Sequence, residues 1–455
     1  MRRSTISAIA KSSARPPGPR SLVPGKFLRS MQRSPTTLLE RLAREYGDVV
    51  QFSIGPRQLY SFAHPDAVHE ILVTKDRSFV KSLALQRSRI VLGDGLLTSE
   101  GEFHLRQRRL AQPAFHRDRI RRYGEVMAAY AIRARERWRD GERLDMHHEM
   151  MRLTLAVVAK TLFDADVEAE ADEIGSALTE IMLMFPRLLN PFIDILLKLP
   201  IPQVRRFERA LARLDRTIYE IIAARRATSE DRGDLLSMLL LAQDTEGDHG
   251  RMTDKQLRDE AMTLFLAGHE TTANALAWTW YLLARNPTAE AALHREIDEV
   301  LGGRPPSPDD YPKLRYTEMV LAESMRLYPP AWGIGRMAVE DVELAGYEVP
   351  RDAIVLVSQW VTHRDARFWP HPERFDPLRF TESAKAARQR FAYFPFGAGS
   401  RICIGEGFAW MEGVLILAAI AQKWRFLRDD PRPVVPQPLI TLRPKGGIAM
   451  RAERR

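Results

Sequence analysis

The chain has 455 residues, 45% hydrophobic and 28% charged, with 68 Lys and Arg against 59 Asp and Glu for a formal charge of +9. Such a composition belongs to a globular protein with a large core. One cysteine excludes an intramolecular disulfide and any four-cysteine zinc or iron–sulfur site, so nothing calls for an oxidising compartment and the cytoplasm is the expected location.

Residues 1–33 are expected to be a basic, disordered tail, with one domain over 34–455. The opening MRRSTISAIAKSSARPPGPR carries no acid, and ISAIA is too short for the apolar region of a signal peptide. No apolar run of about 20 residues exists, so no membrane anchor is expected. Residues 48–55 and 58–63 read as a hairpin around a Gly-Pro turn. From 65 to 327 the pattern is mostly helical, with breaks expected at Pro113, Pro186, Pro191, Pro200 and Pro202. Arginines cluster between 101 and 140 (RQRRL, HRDRIRR, RARERWRD). No aromatic interleaving or binding motif accompanies them, so nucleic acid is not an expected partner. They suit either solvated helix faces or a docking face for an acidic protein.

A long helix opens with a capping box, Thr253 and Gln256, and ends at Asn286-Pro287. At about 1.5 Å per residue it spans roughly 45 Å. Its middle is apolar nearly all round and should cross the core, yet holds Gly268, His269, Glu270, Thr271 and Thr272. Glycine costs about 1 kcal/mol in a helix interior, and threonine can bond back to a carbonyl. An acid among poor helix formers in a buried span predicts a functional bend. Glu323 and Arg326 share one face of an apolar helix, and Arg374 of PERF (372–375) is expected to complete a buried network. Residues 353–358 and 439–442 read as strands, with a turn at 444–447. The expected fold class is mainly α with small β-sheets, in a single large helical domain.

The lone cysteine lies in FGAGSRICIG (396–405), among glycines that let a backbone approach other groups closely. An apolar, helix-like stretch follows Gly405, which places Cys403 just before a helix N-terminus, where free N–H groups favour an anionic sulfur. His269-Glu270 fails as a zinc-protease HExxH because Ala273 stands fifth, and His148-Glu149 fails at Arg152. A Cys/His hydrolase stays open, since eleven histidines could pair with Cys403, but it leaves Arg401 and the long helix unexplained.

Taken together these residues resemble the cytochrome P450 superfamily. FGAGSRICIG is similar to its cysteine-ligand loop, AGHETT (267–272) to its oxygen-activating helix motif, and Glu323-x-x-Arg326 with PERF to its structural triad. The motifs stand in the family's order and cover most of the chain from 267 onward; SEGEFHLRQRRLAQPAF (99–115) extends the likeness more diffusely.

The resemblance implies a haem b cofactor with Cys403 as its axial thiolate, backbone donors around 404–406, and Phe396 shielding the sulfur. Arg401, His104, Arg108 and Arg336 would meet the haem propionates, although many relatives carry tryptophan in place of His104. Thr271 would help deliver protons on the oxygen side, and Glu270 would relay them from solvent. The Arg326 network would be structural. The implied activity is a monooxygenase that inserts one atom of O2 into a lipophilic substrate such as a fatty acid, terpenoid, carotenoid or steroid. Electrons from NAD(P)H are expected through a separate ferredoxin or flavodoxin with its reductase, docking on the cysteine side. The pocket would be lined by 83–97, 182–201, 264–267, 331–334 and the last hairpin; 182–201 also reads as ordinary core. A non-monooxygenase haem-thiolate enzyme and a non-catalytic haem sensor remain as other classes, and the Glu270-Thr271 pair argues against both.

Overall fold

The structure, a computed structural model, describes residues 15–19, 26–168, 171–188, 193–199, 201–228, 232–241 and 251–455. The long helix forms over Asp254–Leu283 with its capping box intact: the Gln256 N–H donates to Thr253 Oγ1 at 3.2 Å and the Thr253 N–H to Gln256 Oε1 at 2.8 Å. It crosses the core as expected, packed along Met146–Phe163, Pro202–Thr228, Arg315–Leu327 and Glu406–Ala421. Trp278 and Trp280, among the largest fully buried side chains, belong to it. Gly268 allows that packing, because a Cβ there would lie 3.1 Å from Val158 Cγ2. The helix continues without a break through 267–272. The Thr271 and Thr272 hydroxyls donate back to the Ala267 and Gly268 carbonyls at 2.7 and 3.3 Å.

The hairpin near the N-terminus is Val49–Ile54 with Arg57–Phe62. It widens into a five-stranded sheet in the order Val49–Ile54, Arg57–Phe62, Ile354–Val357, Ile334–Ala338, Phe79–Lys81. In the last antiparallel pair Lys81 stands opposite Arg336, a like-charge pairing that becomes important below.

Several expectations are corrected. Structure begins before Ser34: Lys26–Arg33 is helical with Phe27 and Met31 buried, and the Gln51 N–H donates to the Pro17 carbonyl at 2.9 Å. Residues 1–14 and 20–25 lie outside the described residues. Pro186 does not stop its helix, which runs Ala171–Leu188 and ends two residues beyond it. Pro202 opens Pro202–Thr228 and Pro113 sits in a short 3-10 turn, as breakers should; Pro191 and Pro200 lie outside the described residues. Residues 439–442 are not one strand. Pro436–Pro438 pairs with Leu442–Pro444, and 439–441 form the turn between them. Prolines at 436, 438 and 444 remove ladder donors and keep this ribbon short.

Candidate active site

Glycine shapes the loop that carries Cys403. Gly399 has φ +69°, and a Cβ on it would fall 1.9 Å from the Leu72 carbonyl oxygen, so only glycine lets the loop press against Glu70–Thr74. The Cys403 N–H donates to the Phe396 carbonyl at 3.0 Å, and Glu406–Ala421 begins three residues further on. The half-buried Phe396 ring packs 5.7 Å from that of Trp410. The Cys403 side chain is exposed, although many protein atoms lie around it. Burial pushes its thiol up to about 11, against the Gly405 N–H and the Arg108 charge. The Gly405 N–H at the start of the helix favours an anionic sulfur, as expected, and burial opposes it. A metal ion that binds a thiol removes its proton outright.

Five basic side chains gather beside this loop. His104 and Arg108 lie on one face of Gly101–Ala111, Arg401 is in the loop, and Lys81 and Arg336 come from neighbouring strands. Arg108 donates to the Ile402 carbonyl at 2.9 Å, Arg401 to the Ser99 carbonyl at 2.9 Å, and Lys81 Nζ to the Leu96 and Ser99 carbonyls at 3.0 and 3.1 Å. Glu100 is ion-paired with Arg401. Burial lowers the pKa of all five, and the Arg401 charge adds to it for three: Lys81 falls to about 7, His104 to about 3 and Arg336 to about 10. His104 Nδ1 lies 3.1 Å from the Leu96 carbonyl, while its Nε2 is buried without a partner. Crowded cations with an unsatisfied buried nitrogen form a seat for a ligand carrying more than one negative charge. The two carboxylates of haem fit it. Lys81 was not found from sequence, because an isolated lysine in a three-residue strand carries no motif; its pairing with Arg336 places it here.

On the central helix, Ala267 is exposed and Gly268 and Thr271 half-buried, in the middle of an otherwise sealed span. Residues 83–87 and 331–334 are also half-buried, as pocket walls would be. Met182 and Met184 of the expected roof are buried core residues, and 189–192 and 200 lie outside the described residues. Glu270 is 1% exposed and ion-paired: its Oε1 accepts from Thr441 Oγ1 and, at 2.7 Å, from Arg443 Nε. No sequence signal singled out Arg443 or Thr441.

The second buried network is centred on Arg326. Its Nε and Nη2 donate to the two Glu323 oxygens at 2.7 and 2.8 Å, Nη1 to the His363 carbonyl at 2.8 Å, and Nη2 also to the Arg374 carbonyl at 3.1 Å. Arg374 contributes its backbone while its side chain is exposed. Arg379, in DPLRF, brings the second guanidinium to within 3.4 Å of Glu323. The expected third member is thus corrected from Arg374 to Arg379.

A family model described as Cytochrome P450 matches residues 16–450. The chain is 43% identical over 415 residues to cyclooctatin synthase of Streptomyces melanosporofaciens, covering 90% of each. It is 39% identical to cyclooctat-9-en-7-ol 5-monooxygenase of the same organism, covering 93% of each. Among solved structures it is similar to the cytochrome P450DA heme domain, with a TM-score of 0.86 and 28% identity over 96% of this chain and 97% of that one.

Proposed function

The chain belongs to the cytochrome P450 family, and from that premise we propose a substrate class, a redox partner and a role for each site residue. It is a haem b monooxygenase whose electrons come from NAD(P)H through partners. The substrate proposed is an apolar terpenoid alcohol. A relative at 39% identity is named for oxidising cyclooctat-9-en-7-ol, by name an alkenol. The accessible strip of the central helix is flanked by Leu264, Phe265 and Leu266, which suits such a hydrocarbon skeleton.

The observation that carries the residue roles is the crowding of five basic side chains, with His104 as a neutral imidazole, beside the only cysteine. Cys403 would be the axial ligand, and Arg401, His104, Arg108, Arg336 and Lys81 would hold the propionates. Phe396 would shield the sulfur. Haem iron held by a thiolate supplies the activation of dioxygen. Thr271 would donate its hydroxyl proton from the accessible strip, and Glu270 would resupply it. For electrons, an acidic ferredoxin or flavodoxin would dock on the arginine-rich 101–122 region, which Arg108 ties to the cysteine loop. Among the described residues no helix is long and apolar enough to cross a membrane, and a cytoplasmic location is proposed.

The visible spectrum of the reduced, haem-loaded protein under carbon monoxide tests this reading. A strongly red-shifted Soret band that Cys403→Ser loses is expected. Polycyclic terpenoid alcohols should shift the spin state at lower concentration than long-chain fatty acids do. A histidine-type band would overturn the ligand assignment, and a tighter response to fatty acids the substrate class.

A further inference from the structure

Glu270 is held from one side only. Its Oε1 accepts from Thr441 Oγ1 and from Arg443 Nε, whereas Oε2 is buried and has no partner among the described residues. The donors form an ordered chain. Asn274 Nδ2 donates to Thr441 Oγ1 at 3.1 Å, which leaves the single Thr441 proton to point at Glu270. Asn274 Oδ1 then accepts from His147 Nε2 at 3.1 Å. Arg443 reaches across to the Ala171–Leu188 helix, where Nη1 donates to Thr179 Oγ1 at 3.3 Å, and its Nη2 has no partner. The hairpin carrying both residues is anchored. The Leu442 N–H donates to the Pro330 carbonyl at 2.9 Å, Trp278 Nε1 to the Leu442 carbonyl at 2.9 Å and Trp332 Nε1 to the Leu439 carbonyl at 3.0 Å.

We propose that Arg443 and Thr441 are positioning residues for the proton-relaying acid: they keep Glu270 a carboxylate with Oε1 sealed, so that Oε2 alone takes up and hands on protons. This rests on the reading of Glu270 as that acid. Each proton drawn from solvent binds Oε2 and leaves from the same atom, and Glu270 returns to the carboxylate. One anchored hairpin then fixes both a wall of the pocket and the orientation of the acid. Electrostatics agree with the geometry. Burial raises the Glu270 pKa, but Arg443 first and then the Thr441 hydroxyl outweigh it and leave the carboxyl below its ordinary range. The other titratable groups facing it are His147, which burial and then Arg443 push down to about 4, and His269, which burial lowers. Both rings are neutral near pH 7, and Thr179 carries no charge. Arg443 is therefore the cation that sets the state of Glu270.

The test uses the haem-loaded protein and variants Arg443→Met, Arg443→Lys, Thr441→Val and Arg443→Met/Glu270→Gln. Infrared difference spectra report buried protonated carboxyls whether or not the enzyme turns over. At neutral pH the parent already carries bands from carboxyls that burial keeps protonated, Glu412 above all. Beyond these, Arg443→Met should show an additional protonated-carboxyl band absent from the parent and from the double variant. In turnover, its acid limb should move up by at least one pH unit, peroxide release should rise several-fold relative to product, and Arg443→Lys should restore both. A parent that already shows the Glu270 band, or an Arg443→Met protein without it, overturns the proposal. If Arg443→Met does not fold, Thr441→Val decides. Loss of its hydroxyl donor should shift the limb in the same direction by a smaller amount, and an unchanged profile overturns the proposal. Failure of the Cys403 spectrum would instead remove the monooxygenase reading and leave the infrared result standing.

Discussion

Two buried glutamate–arginine pairs lie in this protein, and they differ in how completely they are closed. Around Arg326 every guanidinium nitrogen has an acceptor, and Glu323 also receives the Asp376 N–H at 2.9 Å. Arg379 adds an ion pair at 3.4 Å though its Nε makes no hydrogen bond among the described residues; the Glu323–Arg326 pair itself is closed. Around Arg443, its Nη2 and Glu270 Oε2 have no partner among the described residues. A buried charge is tolerated only when its hydrogen bonds are satisfied, so a closed network is stable and has nothing left to offer. An open one keeps an atom free for chemistry. Both pairs are about equally hidden from solvent; their unfilled valences set the pair read as structural apart from the pair proposed to handle protons.

The strongest way to break this contrast is Arg326→Ala. It leaves Glu323 buried without its main partner and should cost about 3–5 kcal/mol. Purified protein should lack haem and unfold early in a thermal melt; a stable, haem-loaded variant would make the closed pair dispensable. Glu412 sharpens the contrast as a limiting case, a fully buried carboxyl with, among the described residues, no cation beside it and only the Thr272 hydroxyl, which donates to the Gly268 carbonyl at 3.3 Å, near enough to favour its charged form. Burial pushes it up to about 8, opposed by the Thr272 hydroxyl. The unfolded chain ionises this group near its ordinary value of about 4.3 while the folded one stays protonated, so stability falls as pH rises between those values. Glu412→Gln should therefore unfold at higher denaturant than the parent at pH 8, by about 4–5 kcal/mol, with the gap closing by pH 4–5. A gap that widens toward acid would mean an ionised, paired Glu412. The smallest effect tests the corrected triad. Arg379→Ala should cost about 1 kcal/mol and Arg374→Ala less than about 0.5 kcal/mol in the same melt.

Most of the frame was legible from sequence because its signals are local. The capping box at Thr253 marked the start of the central helix, the Gly-Pro turn marked the hairpin, and the glycines of 396–405 marked the cysteine loop. What could not be read depends on pairing between distant segments. Lys81 joins the basic cluster only because its strand lies beside that of Arg336. Arg443 meets Glu270 only because the last hairpin folds back onto the central helix. PERF and DPLRF each offer an arginine directly before a phenylalanine, and tertiary packing alone turns Arg379 inward and Arg374 out. Pro186, a strong breaker by type, falls close enough to a helix end to be carried within it.

Lys81 and Arg336, set opposite each other in the sheet, also bear on how the protein is made. Like charges in that register repel, and Arg401 adds to the crowding. A ligand that brings anions to them relieves a strain built into the polypeptide, and binding to the native form alone draws the folding equilibrium toward it. The amount of mature protein in a cell would then follow the supply of haem during synthesis as well as the rate of translation.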